Sequence, residues 1–297
     1  MRFILYRNLL NIMRHFLIVS FLFFSSVIIN AQEKRALLIG IGNYPKEYGW
    51  SMIHGQNDIE IIQPTLNALD FQNIIVLRDS DATYSNIMAE FQSLLDASNK
   101  NDIVYIHFSG HGQRITDLDG DEADKYDEAW IPYDAQISYC KGVYEGERHI
   151  TDDFLNDYLT KLRIKVGPSG KIVVIADACH SGGGSRSVSD DEVFQRGVSS
   201  NFVIPKKTDN VLRKANPVDW LFVAACKSHQ NNYEYKDEHG VYYGSLSYSI
   251  FKSQNKLKDI KHKDAVVLWS ALMKKLTIYR QDMETEGMPS KMNSNLF

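Results

Sequence analysis

The sequence predicts one α/β domain with a mainly parallel central sheet of about six strands and helices on both faces. Short runs rich in Val, Ile and Leu alternate with stretches of helical periodicity, which is the pattern of parallel strands covered on both faces. The composition is globular, with 44% hydrophobic and 24% charged residues. No internal repeat appears, so the pattern does not indicate a solenoid.

The first half of the domain contains three predicted strands. Apolar runs place them at residues 36–42, 73–77 and 102–108. Helical periodicity predicts a helix in each of the two intervals, at residues 57–69 and 84–97. Because each helix connects two strands, we expect the strands to be parallel.

The second half continues the alternation. Apolar runs predict strands at residues 171–177 and 220–225, and helices are expected at residues 152–162, 245–251 and 264–279. The continuous hydrophobicity of KIVVIAD in the first of these strands is typical of a strand buried on both faces.

Two internal stretches do not fit the alternation. One is the acidic loop 116–133, and the other is the segment 181–214, which is rich in Gly, Ser, Asp and basic residues. We expect 181–214 to be a mobile loop, because structureless segments of this length tend to be functional or disordered. A last edge strand is expected within residues 288–297.

The first 31 residues predict a secretory signal peptide. Residues 1–15 carry three arginines and no acidic residue, residues 16–29 are apolar apart from three serines, and Ala31 precedes a charged segment. The alternative is an uncleaved membrane anchor, but this apolar run is shorter than the ~20 residues that span a bilayer. We therefore expect cleavage near Ala31, export to the periplasm or beyond without a stable membrane anchor, and one domain over residues 32–297.

Charge and cysteine content exclude two classes of protein. The 33 basic and 37 acidic residues give a formal net charge of −4, so we expect no binding to nucleic acid. The three cysteines, Cys140, Cys179 and Cys226, are an odd number without a CxxC pair, so no disulfide framework is expected. An unpaired thiol in an exported protein favours a chemical role for one of them.

Cys179 and His111 are the candidate catalytic pair, because each follows the end of an apolar strand, where parallel sheets bind ligands. An imidazole beside a thiol can take its proton and later return it to a leaving amine. The flanking glycines leave the backbone N–H groups of Gly112 and Cys179 available to an oxyanion. Taken singly, such a cysteine is usually a small buried hydrophobe and such a histidine a turn residue.

Five segments resemble the motifs of metacaspases and occur in the expected order between about residues 34 and 297. They are ALLIGIGNY (36–44), HFSGHG (107–112), DLDGDEADKYDEAWIPYD (117–134), DACHSG (177–182) and VAACKSHQNNYE (223–234). The resemblance implies a caspase-like three-layer α/β/α sandwich and peptide hydrolysis by a Cys/His dyad. It also implies cleavage after Arg or Lys, in contrast to the caspases, which cleave after Asp.

The resemblance further implies an acidic pocket for the basic side chain. Asp177 precedes the candidate nucleophile by two residues, and Asp58 matches the second pocket aspartate of the family. Two carboxylates suit bidentate contact with a guanidinium. Asp58 also lies near the start of a predicted helix, where the helix dipole favours an acid, and the two roles can coexist. Gln230 and Tyr233 are further candidates for the wall of the cleft.

By the same resemblance, the metacaspase calcium ligands map onto Asp127, Asp152 and Asp153. The family's further acidic ligand has no counterpart, because GGGSRS (182–187) occupies its place. Asp152 and Asp153 also follow Thr151 at the start of a predicted helix, where capping explains them equally well. Calcium binding and helix capping are therefore both open as roles of these aspartates, so calcium stimulation stays open. We expect no required cofactor.

The segment 181–214 also raises the question of self-cleavage. A protease that prefers basic residues could cut itself there, whereas the alternative is a solvated loop without a special role. The basic residues considered are Arg186, Arg196, Lys206, Lys207 and Arg213.

The sequence thus predicts an exported cysteine endopeptidase that cleaves peptide or protein substrates after Arg or Lys. One alternative is a catalytically silent caspase-like module that binds peptides, although both Cys179 and His111 are present. A metal hydrolase is a further alternative, but the sequence lacks HExxH and clustered histidine spacing.

Overall fold

The structure is a computed structural model, and residues 32–297 form one compact unit. The signal peptide predicted at 1–31 lies outside the described residues. In the part of the chain that is described, no helix is both long and apolar enough to cross a membrane. The described residues are 32–179, 193–198, 200–205, 219–277, 279–287 and 292–297.

Strands and helices alternate through most of the domain. The strands are β1 (Lys34–Gly40), β2 (Asn73–Arg78), β3 (Ile103–Ser109), β4 (Gly112–Thr116), β5 (Tyr126–Trp130), β6 (Ile150–Thr151), β7 (Lys171–Asp177), β8 (Leu221–Ala224), β9 (Glu234–Lys236), β10 (Tyr242–Gly244) and β11 (Glu284–Glu286). The α-helices are α1 (Gly55–Asn67), α2 (Tyr84–Ala97), α3 (Asp152–Val166), α4 (Ser245–Lys252) and α5 (His262–Leu276).

A six-stranded sheet in the order β11-β8-β7-β3-β1-β2 forms the centre of the domain. Its strands are parallel except for β11, which pairs antiparallel with β8. The predicted mainly parallel sheet is therefore confirmed. The observed edge strand β11 lies before the expected range 288–297, and its sequence, ETE, is too polar to show as an apolar run.

Two hydrophobic cores cover the two faces of this sheet. Along β1, Leu37 and Ile39 face one core, which also contains buried side chains of α2 and α3. Ala36 and Leu38 face the other core, which contains side chains of α1, α4 and α5. The alternation of side chains along a strand thus gives the three-layer α/β/α arrangement that the sequence predicts.

Two small antiparallel sheets were not predicted: β4-β5-β6, and the hairpin of β9 and β10. Part of the acidic loop 116–133 is therefore strand β5. Within the segment 181–214, residues 193–198 and 200–205 lie in the described part of the chain, and each stretch forms a bridge to the rest of the domain. Gln195 bridges to Tyr233, and Phe202 bridges to Ile115 on β4.

Candidate active site

His111 and Cys179 leave neighbouring parallel strands at the same level of the sheet. The register of β3 and β7 pairs Ser109 with Asp177, and each candidate lies two residues further along. The Gly110 N–H donates to the Asp177 carbonyl at 3.4 Å, so the two chains stay together beyond the strand ends. The two candidates therefore emerge beside each other at the carboxyl edge of the sheet.

The His111 imidazole is packed between aromatic rings and is neutral. Its ring centroid lies 5.0 Å from those of both Trp50 and Tyr44. Nε2 lies 2.8 Å from the Ser51 carbonyl and therefore carries the proton, while buried Nδ1 has no hydrogen-bond partner among the described residues. Burial lowers the pKa of His111 to about 4. Nδ1 thus has a lone pair that can accept a thiol proton.

The Cys179 thiol is buried beneath a later segment of the same chain. Its Sγ donates to the Gln230 carbonyl at 3.0 Å. A Cβ atom built on Gly197 would lie 2.9 Å from the Cys179 Cβ and 2.6 Å from the Cys179 carbonyl oxygen. The Gly197 backbone is therefore in direct contact with the candidate nucleophile.

Arg196 fills an acidic pocket beside this contact. Its side chain is fully buried, with Nη1 2.6 Å from Asp58 Oδ2 and 3.4 Å from Asp177 Oδ1. Its Nε lies 3.0 Å from Glu234 Oε1. Burial alone would lower the pKa of Arg196, but the three carboxylates outweigh it and raise the pKa above its ordinary value. The pocket therefore holds a charged guanidinium.

Backbone and side-chain donors fix the two predicted pocket aspartates in place. The Gly244 N–H donates to Asp58 Oδ1 at 2.8 Å. Asp177 accepts from the Asn232 amide at 2.8 Å and from the Ser247 N–H and hydroxyl at 2.8 and 2.7 Å. The structure thus brings Asp58 and Asp177 into one rigid pocket.

The backbone of Arg196 is bound as tightly as its side chain. Its carbonyl oxygen accepts a hydrogen bond from the Cys179 N–H at 2.6 Å, and its N–H donates to the Asn232 carbonyl at 3.0 Å. Two residues further along each segment, the Glu234 N–H donates to the Phe194 carbonyl at 3.0 Å. Residues 194–196 therefore lie beside 232–234 as an added antiparallel strand, a common mode of peptide binding.

Of the two predicted oxyanion donors, Cys179 contacts the Arg196 carbonyl, and Gly112 begins β4 opposite Trp130. The Ile131 N–H donates to the carbonyl of the residue before Gly112 at 3.1 Å, which makes Gly112 and Trp130 a non-hydrogen-bonded pair. The Gly112 N–H therefore points away from β5.

Gln230 and Tyr233 take part in the cleft through their backbones. The side-chain amide of Gln230 exchanges hydrogen bonds with Asp282, at 3.0 and 2.9 Å, while its carbonyl accepts from the thiol. The ring of Tyr233 stacks on Tyr279 at 4.2 Å between centroids. The side chains of Gln230 and Tyr233 thus contact Asp282 and Tyr279, and their role in the wall of the cleft stays a prediction.

Glu234 is a pocket residue that the sequence reasoning missed. It accepts from the His54 N–H at 2.7 Å as well as from Arg196. Burial would raise the pKa of Glu234, but Arg196 and His54 together lower it. Its place at the end of the segment VAACKSHQNNYE was the available signal, but only the fold of β9 directs it to the pocket.

The acidic loop and the start of α3 bring many carboxylates together. Burial, with help from neighbouring acids, raises the pKa values of Asp127 and Asp152 to about 8. Each has a buried oxygen without a hydrogen-bond partner in the described part of the chain. The hydroxyl of Thr151 caps α3 by accepting from the Phe154 N–H at 3.3 Å, so the aspartates are not needed as caps. Two groups have ligand atoms within 4.8 Å of one another: Asp117, Asp121 and Asp127, and Asp119, Asp121 and Asp153.

Comparison with known proteins gives a consistent result. A family model described as "Caspase domain" matches residues 33–292. Metacaspase-1B of Aspergillus fumigatus is 33% identical over 162 residues, which cover 50% of this chain and 36% of that protein. Metacaspase-1 of Eremothecium gossypii is 26% identical over 271 residues, which cover 74% of this chain and 56% of that protein.

The matched part of the chain thus spans about a third to just over half of these relatives. A solved crystal structure of a protein from Geobacter sulfurreducens has the same fold. It is similar with a TM-score of 0.60 and 19% identity, covering 89% of this chain and 97% of that one.

Proposed function

This chain belongs to the caspase domain family of cysteine-type endopeptidases, and we propose that it cleaves peptide bonds after arginine. The observation that carries the proposal is the position of Arg196. Its side chain contacts Asp58 and Asp177 while its carbonyl oxygen accepts from the Cys179 N–H. In a bound substrate, the residue before the scissile bond would likewise place its side chain in the pocket and its carbonyl group at the nucleophile.

The chemistry follows from the two side chains at the sheet edge. Neutral His111 takes the proton of the Cys179 thiol, and Sγ attacks the carbonyl carbon of the arginine itself. The N–H groups of Cys179 and Gly112 stabilise the oxyanion. His111 then gives the proton to the leaving amine, and water hydrolyses the remaining thioester.

Arginine is preferred over lysine in this proposal. Two different nitrogens of the Arg196 guanidinium reach separate acids, with Nη1 near Asp58 and Nε near Glu234. A lysine has its three N–H donors on one nitrogen, so it lacks the planar fork that places donors at these two separate positions. We therefore expect about tenfold or greater preference for arginine.

Small fluorogenic peptides that end in Arg, Lys or Asp test this proposal. We expect the Arg peptide to be cleaved fastest, the Asp peptide not to be cleaved, and Cys179→Ala to be inactive. Asp58→Asn should weaken cleavage of the Arg peptide, whereas Asp259→Asn, at an exposed position, serves as the matched control. Cleavage of the Asp peptide alone, or full activity of Cys179→Ala, would overturn the proposal.

The same contacts support self-cleavage between Arg196 and Gly197. This bond lies directly over Cys179, and the residue before it occupies the acidic pocket. Of the five basic residues considered in this segment, Arg196 is the one that the described residues include. The proposed role of the segment is to fill the cleft until it is cut.

We also propose that the carboxylates of the acidic loop and of the start of α3 bind a calcium ion. The buried, unpartnered oxygens of Asp127 and Asp152 fit a hard cation that prefers carboxylate ligands. Two groups of carboxylates lie close enough to share an ion: Asp117, Asp121 and Asp127 form one, and Asp119, Asp121 and Asp153 form the other. When bound, calcium would neutralise these carboxylates and tie the loop to the start of α3.

Export is proposed from the sequence of residues 1–31, whose basic start and apolar middle support a cleaved signal. Sequencing the N-terminus of protein recovered outside the cytoplasm tests this. A start near Gln32 is expected, and protein that begins at Met1 and stays with the cells would contradict export.

A further inference from the structure

Phe194, two residues before Arg196, lies against two aromatic rings of the cleft wall. Its ring centroid is 4.5 Å from that of His54, at an interplanar angle of 87°, and 4.8 Å from that of Tyr242, at 70°. His54 and Tyr242 stack on each other at 5.0 Å and 17°. Edge-on contacts between aromatic rings are favourable beyond the area that they bury.

Glu234, which binds Arg196, also holds the His54 ring. Glu234 accepts from the His54 N–H at 2.7 Å and contacts its Nδ1 at 2.6 Å, while it also binds Arg196 Nε. The Asn57 amide donates to the Tyr242 carbonyl at 3.0 Å. Hydrogen bonds of this kind hold the wall of a binding site in one arrangement, which lowers the entropic cost of binding.

Strand geometry determines which side chains of the bound segment enter the cleft. Alternate residues of an extended chain point to the same side, so Phe194 and Arg196 face one way and Gln195 the other. The backbone hydrogen bonds to Asn232 and Glu234 fix this register.

We infer that His54 and Tyr242 form a subsite for an aromatic side chain two residues before the cleaved arginine, so that preferred substrates have the pattern aromatic-X-Arg. The inference rests on the proposed function, because Phe194 marks this subsite only if Arg196 lies as a substrate residue does. If Phe194 only anchored its own loop, it would make the same contacts. Added peptides would then show no preference for an aromatic residue at this position.

The first test uses self-cleavage of the full chain. Phe194→Ala should slow cleavage after Arg196 about tenfold, because the edge-on contacts are lost, and Phe194→Tyr should restore the rate. The matched control is Val193→Ala, since Val193 is 45% exposed and next to Phe194. Equal rates for Phe194→Ala and Val193→Ala would overturn the inference.

The second test compares two fluorogenic peptides, Phe-Gln-Arg and Ala-Gln-Arg, with the full-length enzyme. We expect about tenfold higher kcat/KM for the first, and a ratio near one in Tyr242→Ala. Tyr243→Ala, on the other face of β10 against Tyr248, should keep the ratio. Equal cleavage of both peptides would overturn the subsite but leave the proposed function intact, and no cleavage of either would overturn both.

Discussion

The carbonyl oxygen of Arg196 lies 2.6 Å from the backbone nitrogen of Cys179. A segment that follows the nucleophile in sequence thus returns to lie over it. Gly197 contacts the carbonyl oxygen and Cβ of Cys179, so the bond between Arg196 and Gly197 lies beside the candidate nucleophile. Because the segment fills the acidic pocket, another peptide can enter only after the segment leaves.

Self-cleavage should yield a fragment that ends at Arg196. Purified full-length protein should be cut between Arg196 and Gly197, because the Arg196 side chain occupies the acidic pocket and its carbonyl accepts from the Cys179 N–H. Mass spectrometry of the fragments identifies the site, and Cys179→Ala is the control that should stay intact. A cut at another basic residue, or an unchanged pattern in Cys179→Ala, would contradict this prediction.

Gly197→Ala should block self-cleavage. The added Cβ would lie 2.6 Å from the Cys179 carbonyl oxygen, a backbone atom that cannot move aside easily. Displacing a reacting bond by about 1 Å can cost about 100-fold in rate. Val193→Ala, at a 45% exposed position of the same segment, is the control, and comparable cleavage of both variants would contradict the proposed position of this bond.

Thiol labelling should follow the opening of the cleft. Cys140 is exposed, while Cys179 and Cys226 are 0% and 2% exposed, so a neutral alkylating reagent should first label Cys140 alone. Contact with Cys179 and burial raise the pKa of Cys226, which keeps it as an unreactive thiol. Peptide mapping after self-cleavage should then show labelling of Cys179. Early labelling of Cys226 would be inconsistent with this closed cleft.

Arg196→Gln should destabilise the protein by about 3–5 kcal/mol, because it leaves buried carboxylates without their cation. Burial raises the pKa of Asp58, so this carboxyl takes up a proton more readily at pH 5 than at pH 8, and the loss should be smaller at pH 5. Urea unfolding at the two pH values measures the difference, with Arg280→Gln, at a mostly exposed side chain, as the control. A loss below about 1 kcal/mol at both pH values would show that the pocket tolerates an empty state.

Calcium should stabilise the protein increasingly as the pH rises. The folded-state pKa values of Asp127 and Asp152, about 8, exceed the ordinary value, so their contribution to stability is present at low pH and is lost as the pH rises through 8. Calcium binds the ionised carboxylates, and its effect on Tm should therefore grow between pH 6 and pH 8.

The variant Asp127→Asn tests this site directly. It should weaken the calcium-dependent rise in Tm, with calcium affinity lowered about tenfold or more. Glu60→Gln, whose side chain is 67% exposed, is the matched control. The same rise in Asp127→Asn and in the control would place calcium elsewhere or exclude it.

Several elements could be predicted from sequence because their signals are local. The bounds predicted for β7 and α2 match the observed ones. Burial on one or both faces of an element produces a hydrophobic pattern in consecutive residues, which can be read from the sequence. The edge strand β11 and the hairpin of β9 and β10 were missed, because three-residue polar strands carry no such pattern.

The sequence by itself determined the layered α/β fold and the candidates Cys179, His111, Asp58 and Asp177, because strand hydrophobicity and motif order lie along the chain. Only the tertiary structure decided that Arg196 occupies the acidic pocket and that Glu234 joins it. Arg196 and Asp58 are 138 residues apart, and no local pattern specifies their contact. The contact forms because the folded sheet edge brings these distant loops together. A cation is favoured there because buried carboxylates need a partner of opposite charge.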